Sequence, residues 1–102
     1  MTRVGGTDGE ASPKERIGCV VAGRVQGVGF RWWTLKRAEE LGVAGTVRNM
    51  ADGSVEVMMS GPADAVKRMR RDLEEGPRFA RVDAIAEITC TLDPATAGFS
   101  IL

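Results

Sequence analysis

Apolar patterns along the 102-residue chain run strand, helix, strand, strand, helix, strand, with a short strand at the C-terminus, and this order predicts an α/β sandwich. Three observations carry the prediction. A β-branched run at Arg16–Ala22 meets a glycine-rich stretch and then a helix-like run. Two alternating segments, Val43–Asn49 and Ser54–Ser60, flank an Asp52-Gly53 turn pair. Gly61-Pro62 then opens a second helical stripe that leads into a further strand. Two right-handed crossovers around a central hairpin give the ferredoxin-like βαββαβ arrangement, α/β (α+β) in class, with two helices on one face of a mainly antiparallel sheet.

The elements follow in order. Residues 1–15 are dominated by Gly, Thr, Ser and charge and are expected to be a flexible N-terminal extension, leaving 16–102 as the folded domain. Arg16–Ala22 reads as a buried first strand, central in the sheet. Trp32–Leu41 reads as a helix with Thr34, Ala38 and Leu41 on one side, Leu35 beside them, and Gly42 as its cap. Trp32 and Trp33 flank that stripe, either covering the core edge or standing as a wall beside a ligand. In the hairpin, the alternation of Val43, Gly45, Val47 and Asn49 puts Asn49 where a strand meets its turn. Asparagine there also fits a plain turn-former. Pro62, Val66, Met69 and Leu73 mark the buried face of the second helix, which ends at Gly76-Pro77, and the Lys67–Arg71 charges lie on its solvated faces. A long strand at Arg81–Thr91 and a short one at Phe99–Leu102 close the chain.

Composition bounds the function. A 43% hydrophobic and 27% charged content suits one soluble domain, and no apolar run reaches the ~20 residues of a membrane span. The first residues lack the apolar centre of a signal peptide, so the expected location is cytoplasmic, with no membrane partner. Zero net charge argues against a general nucleic-acid binder. Without histidine or a CxxC pair, Cys19 and Cys90 cannot furnish a zinc site or a base-assisted nucleophile, and they read as buried small hydrophobes; a disulfide between them is disfavoured in a reducing compartment.

The stretch Gly23-Arg24-Val25-Gln26-Gly27-Val28-Gly29-Phe30-Arg31 is the candidate site. Glycines before a helix let successive N–H groups point into one concavity at the positive end of the helix dipole, and an arginine at the rim grips phosphate with two parallel hydrogen bonds. The same glycines also fit a tight connection. Charge favours the cradle, because five basic residues (Arg16, Arg24, Arg31, Lys36, Arg37) and no acidic one lie between Arg16 and Ala38 in a chain with 14 of each sign.

Read with Gly45-Thr46-Val47-Arg48-Asn49-Met50-Ala51-Asp52-Gly53-Ser54-Val55, that stretch strongly resembles the paired signatures of the acylphosphatase family, small enzymes that hydrolyse carboxyl phosphates. The resemblance extends over residues 16–102 and includes Ala38, Leu41-Gly42 and Gly76-Pro77. It implies that the loop backbone from Val25 through Gln26, Gly27, Val28, Gly29 and Phe30 holds the substrate phosphate together with Arg31, and that Asn49 orients the attacking water. Thr46 departs from the pattern, where tryptophan is common. The implied reaction takes an acyl phosphate to a carboxylate and inorganic phosphate, with no cofactor and no metal, in a monomer. Three other readings compete: a phosphate-binding module without activity, an RNA-recognition sheet, and a carbamoyl-phosphate-handling domain of a hydrogenase-maturation protein. The second lacks strand-borne stacking aromatics, and the third lacks the zinc-binding cysteines and following domains.

Overall fold

A computed structural model describes residues 13–102. Most of the expected extension, residues 1–12, lies outside the described residues. The described chain forms β1 (Lys14–Arg24), α1 (Phe30–Leu41), β2 (Ala44–Asn49), β3 (Val55–Pro62), α2 (Ala63–Glu75), β4 (Arg81–Ile88) and β5 (Phe99–Ile101). The five strands make one sheet in the order β4-β1-β3-β2-β5. β1 runs antiparallel to both β3 and β4, β2 runs antiparallel to β3, and β5 adds parallel to β2. This is the ferredoxin-like arrangement. β1 is interior, with β3 at the sheet's midpoint.

Period-2 alternation decides which side chains meet the helices. Cys19 and Val21 of β1, Val47 of β2, and Val55, Val57 and Met59 of β3 are buried in a single core with Phe30 and Ala38 of α1 and Val66, Met69 and Leu73 of α2. α1 packs on β2 and β5, α2 packs on β1, β3 and β4, and the helices touch each other. Across the helix pair, the Arg37 guanidinium donates to Asp72, its Nε at 3.1 Å.

Element ends differ from the sequence reading in three instructive places. α1 begins at Phe30 rather than Trp32, because left-handed Gly29 turns the chain and its carbonyl takes the first helical bond, from the Trp33 N–H at 3.0 Å. Pro62 ends β3 as the α2 N-cap, with ψ 139°, and is exposed rather than part of the buried stripe. β4 stops at Ile88, opposite Gly18, so Cys90 lies beyond it. Further along, the Arg16 guanidinium takes the Leu92 carbonyl and lies 3.9 Å from the Cys90 Sγ.

Candidate active site

The stretch between β1 and α1 hangs from two buried anchors, Val25 and Phe30, each 1% exposed. Between them Gly27 and Gly29 take φ of 74° and 81°, a left-handed region that costs side-chain-bearing residues energy. Their alternation with Gln26 and Val28 bends the loop tightly. Among the described residues, the N–H groups of Gln26 through Arg31 have no backbone acceptor. Helix starts leave such donors unpaired, and here the loop adds its own. The outcome is a nest of N–H groups at the positive end of α1.

The nest opens into a cavity of about 140 Å³ lined by Val25, Gly27, Gly29, Phe30, Arg31, Trp32, Asn49 and Ile101. Arg31 stands in the first turn of α1. Its Nη1 reaches the Leu102 carbonyl at 3.5 Å, and among the described residues it makes no ion pair. By contrast Arg37, Arg48, Arg68, Arg70 and Arg81 are each paired with a carboxylate. The guanidinium at the cradle, like those of Arg16, Arg24, Arg71 and Arg78, has no carboxylate partner among the described residues, and of these it is the one that lines the cavity.

Asn49 reaches the same cavity from the other side of the sheet's end. It continues the helix-facing row of Gly45 and Val47, and it is exposed because β2 ends there, opposite Val55. Its carboxamide makes no hydrogen bond to another described residue. Turn formation falls to a neighbour. The Asp52 carboxylate accepts from the Ser54 N–H at 2.9 Å and from the Ser54 hydroxyl at 2.6 Å, and these bonds hold it below the usual carboxylate range. The turn is closed by Met50 N–H to Ser54 O at 2.8 Å and Gly53 N–H to Met50 O at 3.2 Å.

The structure thus gathers Val25, Gly27, Gly29, Phe30, Arg31 and Asn49 around one cavity. Two expected loop residues do not line it. Val28 packs against the core, and the Gln26 carboxamide turns toward the hairpin, its Nε2 donating to the Met50 and Ser54 carbonyls at 2.8 Å each. Two lining residues lay outside the expected set. Trp32 is 61% exposed on the cavity wall with Lys36 Nζ 5.9 Å from its ring centroid, whereas Trp33 tilts against Phe30 in the core edge, 5.5 Å between centroids. Trp33 thus takes the core-edge position, and Trp32 lines the cavity. Ile101 arrives because β5 pairs with β2 in the register Val47↔Ile101, a long-range pairing that no local pattern announces. Thr46 points to the sheet face opposite Asn49 and does not line the cavity.

The cysteines stay apart from this chemistry. Both are free, Cys19 in the core and Cys90 half-buried. Burial pushes the Cys19 thiol up to about 11, although the Arg70 charge pulls the other way.

A ferredoxin-like sandwich with unpaired N–H groups and a guanidinium without an ion pair around one cavity at a helix N-terminus defines a small α/β domain with a basic pocket. The comparisons with known proteins make that class specific. The sequence model of the Acylphosphatase family matches residues 17–101. The chain is 41% identical over 100 residues to an acylphosphatase of Acidothermus cellulolyticus, covering 98% of this chain and 95% of that protein. It is 59% identical over 68 residues to one of Nitrobacter hamburgensis, covering 67% of this chain and 69% of that protein. The crystal structure of acylphosphatase from Bacillus subtilis matches with a TM-score of 0.79 at 33% identity, over 85% of this chain and 97% of that one. The chain belongs to the acylphosphatase family, hydrolases of acyl phosphates that release a carboxylate and inorganic phosphate.

Proposed function

We propose that Arg31 and the amides from Val25 to Phe30 bind the phosphoryl group and that Asn49 holds the attacking water, with no metal taking part. The observation that carries this reading is the convergence of a guanidinium without an ion pair, unpaired N–H groups and an unpartnered carboxamide on one cavity. Arg31 offers two parallel donors to two non-bridging oxygens, and the loop amides take the third. Negative charge spread over those oxygens in a loose transition state is met by donors already in place. Asn49 can accept one hydrogen bond from a water and donate another, which fixes the lone pair used in attack.

The reaction then balances without a strong base. Water adds to phosphorus, the bond from phosphorus to the acyl oxygen breaks, and its electron pair leaves on the carboxylate. Both water protons end on the product phosphate. Because a carboxylate is a good leaving group, positioning and charge stabilisation supply most of what the step needs, which fits a chain without histidine. Guanidinium and amides furnish the positive charge that a metal would otherwise bring.

The chain is further proposed to act as a monomer in the cytoplasm, with the residues before β1 outside the catalytic domain. Both cysteines are free, and no helix among the described residues is long and apolar enough to cross a membrane. The boundary expected after residue 15 falls inside the sheet, because Lys14 and Glu15 belong to β1 and pair with β3.

The test is hydrolysis of acetyl phosphate in excess chelator, on the parent and on Arg31→Ala. We expect full activity of the parent and, for the variant, joint loss of turnover and of competitive inhibition by phosphate. Turnover that needs added divalent cation would overturn the metal-free reading. Unchanged phosphate inhibition in Arg31→Ala would remove the arginine from the cradle.

A further inference from the structure

The two halves of the site lie past the last point at which their strands are joined. β1 and β3 pair as far as Val21↔Val55, and beyond that β1 pairs only with β4. The loop at residues 25–29 and the hairpin turn at residues 50–54 therefore both project beyond the shared ladder. One side chain spans the gap between them. Gln26 Nε2 lies 2.8 Å from the Met50 carbonyl and 2.8 Å from the Ser54 carbonyl, the residues that open and close the turn just after Asn49.

An amide nitrogen carries two hydrogens, and a carbonyl oxygen carries two lone pairs. Met50 O already takes the Gly53 N–H, and Ser54 O already takes the Met50 N–H. Gln26 adds a second bond to each, so that turn closure and bridge share the same two oxygens. Asparagine is one methylene too short to repeat this from the same backbone. A carboxylate would present oxygen to oxygen.

We propose that Gln26 is a positioning residue: its carboxamide straps the phosphate loop to the β2–β3 turn and so sets where Asn49 stands relative to the bound phosphoryl group. The inference rests on the reading of Asn49 as the water-holding group. The role of this side chain in the family reaction is indirect, since the Gln26 carboxamide bonds the turn and does not line the cavity. Loss of the strap leaves the cradle formed but lets the turn drift. A misplacement of about 1 Å between reacting groups costs on the order of 100-fold in rate.

The experiment compares Gln26→Met, which keeps length and loses both donors, with the parent in two backgrounds. In the parent background kcat for acetyl phosphate should fall roughly 10- to 100-fold while the inhibition constant for inorganic phosphate stays within about two-fold. In an Asn49→Ala background the same change should cost nothing further. Equal losses in both backgrounds, an unchanged kcat, or a phosphate inhibition constant that rises as kcat falls would each overturn the proposal. Gln26→Glu gives a second route should Gln26→Met fold poorly. Protonated, that side chain regains one donor, so kcat should recover as pH falls, along a limb absent from the parent; a flat profile counts against the strap. If the parent itself does not hydrolyse acetyl phosphate, the reading of Asn49 fails. The strap is then judged by NMR on the Asn49 side-chain amide, which should lose order in Gln26→Met, and an unchanged signal refutes it.

Discussion

Replacing Asn49 by alanine separates catalysis from binding and from folding in one protein. The carboxamide touches no other described residue, so its removal breaks no internal hydrogen bond, and the turn beside it is held by Asp52, Ser54, Met50 and Gly53. Stability should therefore change by no more than about 0.5 kcal/mol. The cradle is built by a different segment, so KM for acetyl phosphate and the inhibition constant for phosphate should stay within about two-fold. On the proposed role of Asn49, what disappears is the pair of hydrogen bonds to the attacking water. At about 1–1.5 kcal/mol each, two bonds amount to about 2–3 kcal/mol. At 1.36 kcal/mol per decade, kcat should fall about 30- to 160-fold. Initial rates of phosphate release across substrate concentration, with and without added phosphate, read both quantities at once, and thermal unfolding reads the third. A rise in KM at constant kcat would make Asn49 a substrate-binding group. Wild-type turnover would return it to the turn-former reading and leave the water without a holder.

Two further predictions concern the frame around the site. Leu73 is fully buried on the α2 face and lies outside the cavity lining, so Leu73→Ala should cost about 3 kcal/mol and lower Tm by roughly 15 °C while kcat/KM measured well below Tm is retained; a Tm within 3 °C of the parent would show that the core closes over the gap. Cys19, whose thiol is raised from 9.0 to about 11 by burial, should resist alkylation in the native protein at pH 8 while Cys90 reacts. A thiol held protonated by the fold stabilises fully below its unfolded pKa, so stability should decline as pH rises from about 9 to about 11, and Cys19→Ala should flatten that decline. Native labelling of both thiols at equal rates would contradict it.

What the sequence made legible follows from range. The cradle is local: glycines, a helix start and an arginine within one short stretch suggest an anion site, and the structure lines one cavity with Gly27, Gly29 and Arg31. Alternation is nearly as local, and it put Asn49 on the same face as Val47 before any partner strand was known. Ile101 is the opposite case, because its place in the cavity depends on a parallel pairing across half the chain that leaves no periodic trace. Element ends failed where tertiary contacts outweigh propensity. Apolar alternation runs on past Ile88 toward Cys90, but the ladder with β1 ends at Gly18↔Ile88, and beyond it the Arg16 guanidinium bonds the Leu92 carbonyl.

Gln26 shows the remaining limit most clearly. In the sequence it is one polar residue among glycines, and nothing local distinguishes a side chain that meets the ligand from one that meets the turn. Only the position of the last rung between β1 and β3 reveals that loop and hairpin tip would otherwise stand apart. A site assembled from two projecting segments needs more than the right groups on each; it needs a bond that fixes their separation, and the two carbonyls flanking the turn supply the acceptors for it.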